Sequence, residues 1–318
     1  MITKRTLPFD PQPPIKAFSF WGNYLGILQG HGHNVNGLLY NYYITLFYSV
    51  ATNHLGYVFG LRAKWLFKNR RFKVPRKNPF NYIERCINEE KYVTIMLNAK
   101  FLSNVTFDRE WYHDWMIYGY DKEERMFEAV GFIVDTSCHA FNYETIQISY
   151  DDFLQALPPI GHKVRYNFLS WLPKNFRMPE YNENLLRFEL FLYTHNLLPF
   201  FFNAQIYLLF SKVFRYKNMK NNDPFDLRGF KVLCEHKRVI MSMMNDLALE
   251  GEAAKEFERI IRIANTIQTT ALKYNVTKHN KQKAIDTICD ALQKLRAEEP
   301  EIIRKFYLEL KEISKLRK

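Results

Sequence analysis

Hydrophobic and polar positions along the chain follow two different periods, and the change falls just past the middle. Between about residues 92 and 148, apolar and β-branched residues form short runs such as YVTIMLNAKFL and MFEAVGFIV, which favour β-strands. The stretch HDWMIYGYD, residues 113–121, predicts a strand that His113 opens, followed by an acidic turn and a returning strand in an antiparallel hairpin. From about residue 180 onward, apolar residues repeat every three or four positions, as in amphipathic helices.

The remaining elements of the first half complete an α+β plan. Helices are predicted from about Asn23 to Gln29, in PFNYIERCINEE, and in SYDDFLQAL with Ser149 as its N-cap. The aromatic stretches GLLYNYYITLFYSV and HLGYVFGL predict strands. We therefore expect four segments: an N-terminal tail over residues 1–14, an α+β domain over 15–160, a linker over 161–180 and an α-helical domain over 181–318.

The composition is that of a globular protein, because 47% of the 318 residues are hydrophobic and 16% are aromatic. The four cysteines lie far apart and form no CxxC pair, so we expect reduced thiols and a cytoplasmic location. The N-terminal stretch MITKRTLPFDPQPP contains no apolar run and predicts no signal peptide. The most apolar window, residues 197–210, is too short for a membrane span and predicts a buried helix.

Positive charge is concentrated in one segment of a chain whose net charge is +12. The basic run, Arg62 to Lys77, contains eight basic residues and no acidic residue. Such a run suits nucleic acid, anionic lipid or an acidic protein. No helix-turn-helix, RNA-binding or zinc-finger pattern accompanies it, which disfavours nucleic acid. The alternative interpretation is a solvated strand edge that lysine and arginine protect from aggregation.

An ordered series of motifs carries a resemblance to a known family. The stretches YVTIMLNAKFL, HDWMIYGYDKEERMFEAVGF and ISYDDFLQAL resemble the N-terminal domain family of the butirosin biosynthesis H protein, which is distantly similar to bacteriocin-processing cysteine peptidases. The segment DLRGFKVLCEHKRVIMSMMNDL resembles the helical half of relatives found beside nonribosomal peptide assembly genes. The resemblance covers about residues 15–260 and implies a papain-like first domain.

The resemblance also implies catalytic roles for particular residues. His113 takes the place of the catalytic histidine, and the family's nucleophile is a cysteine at the start of the first helix. This sequence has AFSFWGNYLGIL there and no cysteine before Cys86, so Ser19 is the candidate nucleophile, with a helix N-cap as its alternative role. Glu128 lies where such enzymes place the group that orients the histidine ring. The alternative for His113 is a polar residue that begins a buried strand.

Further residues are candidates for substrate binding or for metal binding. The predicted substrate-binding residues are Trp21, Asn23, Asp114, Asp121, Glu235 and His236. Strand alternation predicts that the Asp114 side chain points away from His113, and Asp121 has a turn as its alternative role. The stretch EHKR, residues 235–238, is either a solvated helix face or part of a cleft with His113.

The histidines and cysteines outside these candidates carry weaker predictions. His31 and His33 have the spacing of a ligand pair on a strand, but without a third ligand in view the sequence disfavours a metal site. Cys86 is expected in the core, and Cys138 in an exposed polar turn.

Three functions follow from the resemblance. The first is acyl transfer or amide-bond handling on a carrier-protein-bound substrate in antibiotic biosynthesis, with the phosphopantetheine arm of the carrier as acyl donor. The second is a catalytically degenerate papain-like scaffold, a pseudoenzyme that binds a carrier protein or a peptide. The third is a cysteine-peptidase-like hydrolase, which the missing cysteine disfavours. The expected partner is an acidic acyl or peptidyl carrier protein that docks on the basic run, with Trp65, Phe67 and Phe72 supplying apolar contacts.

Overall fold

The computed structural model describes residues 2–49, 54–57, 62–105, 109–138, 140–159, 167–194, 204–220, 223–247 and 251–316. They form two compact units. The first unit comprises residues 1–34, 62–136 and 140–177, and the second comprises residues 35–61, 137–139 and 178–318. These boundaries differ from the predicted domains, since residues 35–61 belong with the helices and part of the predicted linker forms a sheet strand.

Strands and helices alternate in the first part of the chain, and helices alone follow residue 182 in the described residues. The strands are β1 (Lys4–Thr6), β2 (Leu46–Ser49), β3 (His54–Tyr57), β4 (Lys68–Arg71), β5 (Tyr92–Asn98), β6 (Tyr112–Asp121), β7 (Met126–Asp135), β8 (Ala140–Ser149) and β9 (Phe168–Trp171). The helices are α1 (Ser19–Gly30), α2 (Asn36–Tyr42), α3 (Arg62–Trp65), α4 (Pro79–Asn88), α5 (Tyr150–Ala156), α6 (Glu183–Thr194), α7 (Gln205–Met219), α8 (Arg228–Asp246), α9 (Glu252–Thr277) and α10 (Lys281–Leu316).

An antiparallel sheet is the centre of the first unit. Its strands follow the order β4-β9-β5-β6-β7-β8, and β1 adds to β6 beyond the end of β5. The predicted hairpin is confirmed, because β6 and β7 pair antiparallel through Met116 and Val130. The fold is therefore α+β, as the order of the elements predicts. β9 lies within the predicted linker, where its four residues bridge β4 and β5.

Helices cover both faces of this sheet. In β7, Phe127 and Phe132 are an odd number of residues apart, so their side chains point to opposite faces. Phe132 contacts Tyr143 of β8, whose hydroxyl donates to Asn23 of α1, so α1 covers that face. Phe127 contacts Phe80 of α4 and also the aromatic residues of α5, so these two helices cover the other face.

Two predicted elements differ from the structure, whereas the predicted cap of α5 is confirmed. Helix α1 begins at Ser19, four residues before the predicted start. The stretch predicted as a strand from residue 37 forms α2 and then the short strand β2. Its consecutive apolar residues are buried from Leu38 to Tyr40, and a short apolar run does not distinguish a buried helix from a strand. Ser149 caps α5 as predicted, since its Oγ accepts from the Asp152 backbone N–H at 3.0 Å.

The second unit is a helical assembly with one two-stranded hairpin. Helices α9 and α10 form a long antiparallel pair, α8 packs beside α9, and β2 pairs with β3. Helix α10 continues through Pro300, which lacks the N–H for one helical hydrogen bond. The predicted buried helix over residues 197–210 lies partly outside the described residues, and its last part begins α7. Across the described residues, the helices are all too short or too polar to cross a membrane.

Candidate functional site

The start of α1 and the start of β6 bring together a hydroxyl, a carboxylate and an imidazole. The Ser19 hydroxyl donates to Asp114 Oδ2 at 2.6 Å. The other oxygen of the same carboxylate, Oδ1, lies 3.1 Å from His113 Nδ1. Because the two oxygens of a carboxylate are about 2.2 Å apart, Ser19 Oγ lies within about 8 Å of His113 Nδ1. The papain-like argument requires this proximity of the helix start to the histidine.

The order of these contacts differs from that of a catalytic pair. A nucleophilic hydroxyl normally donates to the imidazole that removes its proton. Here the hydroxyl donates to the carboxylate, and the carboxylate lies between it and the ring. Ser19 is also only 6% exposed. The predicted N-cap role is wrong as well, since Phe18 occupies that position and the Ser19 side chain points to the sheet.

Aromatic rings and the neighbouring backbone hold the His113 side chain. The ring lies 4.8 Å from that of Trp111 and contacts Phe132 edge-on at 5.4 Å, measured between centroids. Its Nδ1 is 3.1 Å from the backbone oxygen of Asp114. The ring is thus turned along the strand toward the next residue. For this reason Asp114 contacts His113, contrary to the prediction from strand alternation that the two side chains point apart.

Glu128 cannot orient the His113 ring. Its register partner is Gly119 of β6, six residues beyond His113, and six strand residues span about 20 Å. The Glu128 carboxylate instead accepts from the Thr6 hydroxyl at 2.8 Å. The prediction counted residues after the histidine, but the β6–β7 hairpin returns in the opposite direction and carries Glu128 to the far end of the strand. Asp114 is the carboxylate that contacts the ring.

Three predicted binding residues of the first unit have structural contacts. Trp21 is buried and packs edge-on against Phe18, with 5.1 Å between the ring centroids. Asn23 is buried and accepts from the Tyr143 hydroxyl at 2.6 Å. Burial raises the pKa of Tyr143, and the negative charge of Asp114 raises it further, so this hydroxyl remains a donor. Asp121 is a turn residue.

The turn role of Asp121 follows from its own contacts. Its Oδ1 accepts from the backbone N–H groups of Glu123 and Glu124 at 3.1 Å, and its Oδ2 forms an ion pair with Lys4 at 3.0 Å. Asp121 therefore closes the β6–β7 turn, which is the alternative role predicted for it.

The four cysteines are free thiols, and all of them are buried. Burial raises the pKa of the Cys86 and Cys289 thiols and raises that of Cys234 to about 11. A thiol with a raised pKa is a poor nucleophile at neutral pH, because the thiolate is the reactive form. Cys86 is in the core as predicted, whereas Cys138 is buried, contrary to the prediction of an exposed turn residue.

Glu235 and His236 are buried in the second unit, so the solvated-face interpretation of EHKR is wrong. The spacing of Leu233, His236 and Ile240 in α8 is that of one apolar face, which is the signal that predicts burial. His236 and Lys237 belong to what we call the buried network: His236, Lys237, Tyr193, Tyr207 and Glu299.

Lys237 and Glu299 form the ionic centre of the buried network. Their Nζ and Oε1 atoms are 2.5 Å apart, and both side chains are fully shielded from solvent. Tyr193 donates to Glu299 Oε1 at 2.8 Å, and Tyr207 donates to Oε2 at 2.6 Å. Lys237 also contacts the Tyr207 hydroxyl at 2.6 Å. Burial lowers the pKa of Lys237, and the charge of Glu299 opposes that shift.

The hydrogen bonds of His236 define its tautomer. Its Nε2 lies 2.7 Å from the backbone oxygen of Ile44, which can only accept, so Nε2 carries the hydrogen. Its Nδ1 lies 3.0 Å from Lys237 Nζ, and it accepts from the ammonium. Burial and the Lys237 charge lower the pKa of His236 well below its usual value. The ring is therefore neutral.

The two histidines with metal-ligand spacing have other contacts. His31 Nε2 lies 3.1 Å from the Tyr92 hydroxyl, and the His33 ring packs on Phe176 with 4.9 Å between centroids. Both follow the end of α1 rather than lying on a strand. Within the described residues, histidine, cysteine, aspartate and glutamate form no cluster of three or more that could hold a metal ion.

A groove of about 570 Å³ lies between β4 and α4. We call it the cationic groove, and its main lining residues are Arg70, Phe72, Lys73, Tyr82, Arg85 and Lys91. Arg71 also borders it, and Glu89 is its single acidic lining residue. The sequence predicted the basic residues of the β4 segment as a binding surface, but it did not predict that residues of α4 line the same groove. The signal was present, since Tyr82, Arg85 and Glu89 recur at three- and four-residue steps on one face of that helix.

The basic run is an exposed edge of the first unit. Within the described part of the chain β4 pairs with β9 alone, and Arg70, Arg71 and Lys73 are exposed. Trp65 is 74% exposed, whereas Phe67 is buried and Phe72 stacks on Tyr82. Of the three predicted apolar contacts, Phe67 is therefore excluded and Trp65 is the most accessible.

Comparisons with known proteins give no family for this chain, because no family model and no curated protein sequence matches it.

Proposed function

We propose that the first unit is a catalytically degenerate papain-like scaffold that binds an acidic acyl or peptidyl carrier protein through the basic run. The main support is a cluster of exposed, unneutralised cations. Among the described residues, no carboxylate lies within ion-pair distance of Arg70, Arg71 or Lys73. Solvated cations without acidic neighbours attract an acidic partner and accelerate its association.

The contacts of Ser19 support the degenerate character of the scaffold. Its hydroxyl is engaged by Asp114 and nearly inaccessible to a substrate. Carboxylates are weaker bases than imidazoles, so this contact activates a hydroxyl poorly. The buried thiols with raised pKa values disfavour the cysteine-peptidase alternative.

An exposed tryptophan supports the docking role of this edge. Trp65 lies beside the basic residues, and tryptophan is a common anchor of protein interfaces. Charge on the basic run would steer the encounter, and the indole would hold the bound partner. Strand β4 presents Arg70 and Arg71 on a rigid element of the sheet, and Trp65 ends the short helix α3 just before it.

Acyl transfer from the phosphopantetheine arm is the second candidate, and the row of contacts from Ser19 through Asp114 to His113 favours it. In that reaction Ser19 Oγ would attack the thioester carbonyl as its proton passes to Asp114. The C–S bond would then break, and the thiolate of the arm would take that proton from Asp114 and leave as a thiol. A Ser19→Ala variant that binds the carrier normally but loses turnover would establish this candidate instead of the degenerate scaffold.

Charge reversal tests the docking proposal. The variant changes Arg70, Arg71 and Lys73 to Glu, and its affinity for an acidic acyl carrier protein is measured by calorimetry across a salt series. We expect affinity to fall by about tenfold or more, and wild-type binding to weaken as salt rises, because screening acts on exposed charges.

A matched control makes the same change in net charge elsewhere. Lys255, Lys294 and Lys311 are exposed lysines of the second unit, and their reversal to Glu should leave most of the affinity intact. Equal losses in both triple variants would show that only net charge matters. Unchanged affinity and salt dependence in the β4 variant would exclude the basic run as the dock.

A further inference from the structure

The cationic groove contains cations that are held in place by other side chains. The Arg85 guanidinium lies over the Tyr82 ring, 5.3 Å from its centroid, and Tyr82 also stacks against Phe72. Lys91 lies 5.5 Å from the centroid of Trp171 and forms an ion pair with Glu89 at 2.5 Å. The rings of Tyr82 and Trp171 therefore hold Arg85 and Lys91 in place, and the contact with Tyr82 does not neutralise the charge of Arg85.

Arg70 completes a convergent set on the same face of the sheet. It is the register partner of Leu169, which lines the groove. Burial and the neighbouring Cys86 thiol raise the pKa of Tyr82, and the charges of Arg70 and Arg85 oppose that shift. Arg70, Arg85 and Tyr82 thus line one groove together with the apolar side chain of Leu169 and the Cys86 thiol.

The charge balance of the groove favours an anionic ligand. Five cationic side chains border it against Glu89 alone, and Glu89 is already paired with Lys91. One arginine fork uses both oxygens of a carboxylate, whereas a phosphate group has further oxygens that can contact a second guanidinium. Because Tyr82 is covered by Phe72 and Arg85, its ring faces do not offer a stacking platform for an aromatic base.

We propose that the cationic groove binds the phosphate group of a phosphate ester, with Arg70 and Arg85 as its principal ligands. The ester has two sources: the phosphopantetheine arm of a carrier protein, or a free phosphorylated metabolite. The phosphopantetheine arm as the source rests on the proposed function, whereas a free phosphorylated metabolite as the source does not. In the first case the groove places the arm beside the surface on which its carrier docks.

Calorimetric titration with small probes tests the groove without any carrier protein. The probes are inorganic pyrophosphate, phosphopantetheine, pantetheine and succinate. We expect pyrophosphate and phosphopantetheine to bind, and pantetheine and succinate to bind at least about tenfold more weakly, because they lack the phosphate. A holo carrier protein that binds more tightly than its apo form, which lacks the arm, would identify the arm as the source, and equal affinity of the two forms would identify a free metabolite.

Single-charge variants locate the binding site. Arg70→Gln and Arg85→Gln should each weaken pyrophosphate binding by about tenfold or more, since each removes a charge-assisted contact. Arg85→Lys keeps the charge but loses the planar fork, and it should recover only part of the affinity. Arg125→Gln is the matched control, because Arg125 also lies over a tyrosine ring but pairs with Asp151 outside the groove.

Several outcomes would overturn the proposal. These are no pyrophosphate binding by the folded wild type, equal affinity for succinate, or equal losses in Arg85→Gln and Arg125→Gln. If the small probes fail while the carrier protein still binds to the basic run, the groove proposal alone is wrong. If pyrophosphate binds as expected and the carrier protein does not, the docking proposal is wrong and the phosphate site stands.

Discussion

The buried network of the second unit and the cationic groove of the first unit use charged side chains in opposite ways. Lys237 is fully buried, and a carboxylate, a tyrosine hydroxyl and an imidazole nitrogen satisfy its ammonium. Arg70 and Arg85 are exposed, and among the described residues no carboxylate pairs with either of them.

This difference separates a structural role from a recognition role. A buried charge has its partners in the fold itself, because an unpaired charge in the interior costs several kcal/mol. An exposed cation without an acidic neighbour costs little and keeps its donors available to a ligand. The three linked side chains Ser19, Asp114 and His113 lie between the buried and the exposed case. The Ser19 hydroxyl is buried, whereas the side chains of Asp114 and His113 each remain 23% exposed.

The largest effect is expected from the ionic centre of the buried network. Lys237→Met leaves the Glu299 carboxylate buried without its cation, and we expect a loss of about 3–5 kcal/mol in the free energy of unfolding. All five tryptophans lie in the first unit, so circular dichroism at 222 nm, which reports mainly the helices of the second unit, is the appropriate measurement.

A double-mutant cycle gives the control for this prediction. Glu299→Met alone should also destabilise the second unit, because it leaves the Lys237 ammonium buried. The double variant should lose less than the sum of the two single losses, since it removes both charges together. Strict additivity would show that the two side chains do not stabilise one another.

Local patterns in the sequence predict several elements of the first unit, because each of these elements is a contiguous stretch of chain. The hairpin from His113, the strand from Tyr92 and the cap at Ser149 depend on neighbours within a few residues, and all three are present. The contact between Ser19 and Asp114 joins residues 95 positions apart, and no local pattern specifies it. The resemblance brought His113 and the helix start together, but it offered Glu128 rather than Asp114 as the carboxylate.

The second unit shows a different limit of sequence reasoning. Its helices are predicted from periodicity, yet the buried network joins side chains of α6, α7, α8 and α10. Lysine and glutamate are the residues that composition assigns to the surface. Their burial depends on partners that approach from distant parts of the chain, so only the tertiary structure reveals them. The cationic groove shows the same dependence, since its α4 half precedes the strand that completes its floor by more than 80 residues.

A smaller effect is expected from the hydrogen bond between Ser19 and Asp114, which is only partly buried. Ser19→Ala removes the donor to Asp114, and we expect a loss of about 2 kcal/mol in the stability of the first unit, measured by tryptophan fluorescence during urea unfolding. Ser103→Ala is the matched control, because its hydroxyl donates to Asp152 at 2.5 Å in an exposed position. The control should lose about 0.5 kcal/mol or less. Equal losses would contradict a buried structural role for Ser19.

The last effect concerns the proton balance of the buried network, and it is small near neutral pH. His236 has a pKa well below its usual value, so at acidic pH the unfolded chain binds a proton that the folded chain does not. The contribution of His236 to the free energy of unfolding is therefore complete above about pH 6.5. Below that pH it declines by up to about 1.4 kcal/mol per pH unit. His236→Gln provides the comparison, because its amide can donate to the Ile44 oxygen and accept from Lys237 without titrating. Urea unfolding followed by circular dichroism at pH 7, 6 and 5 should show a shallower loss in His236→Gln than in the wild type. Parallel pH profiles would mean that the folded and unfolded chains bind the His236 proton equally, and a ring held neutral at acidic pH by its two contacts would be ruled out.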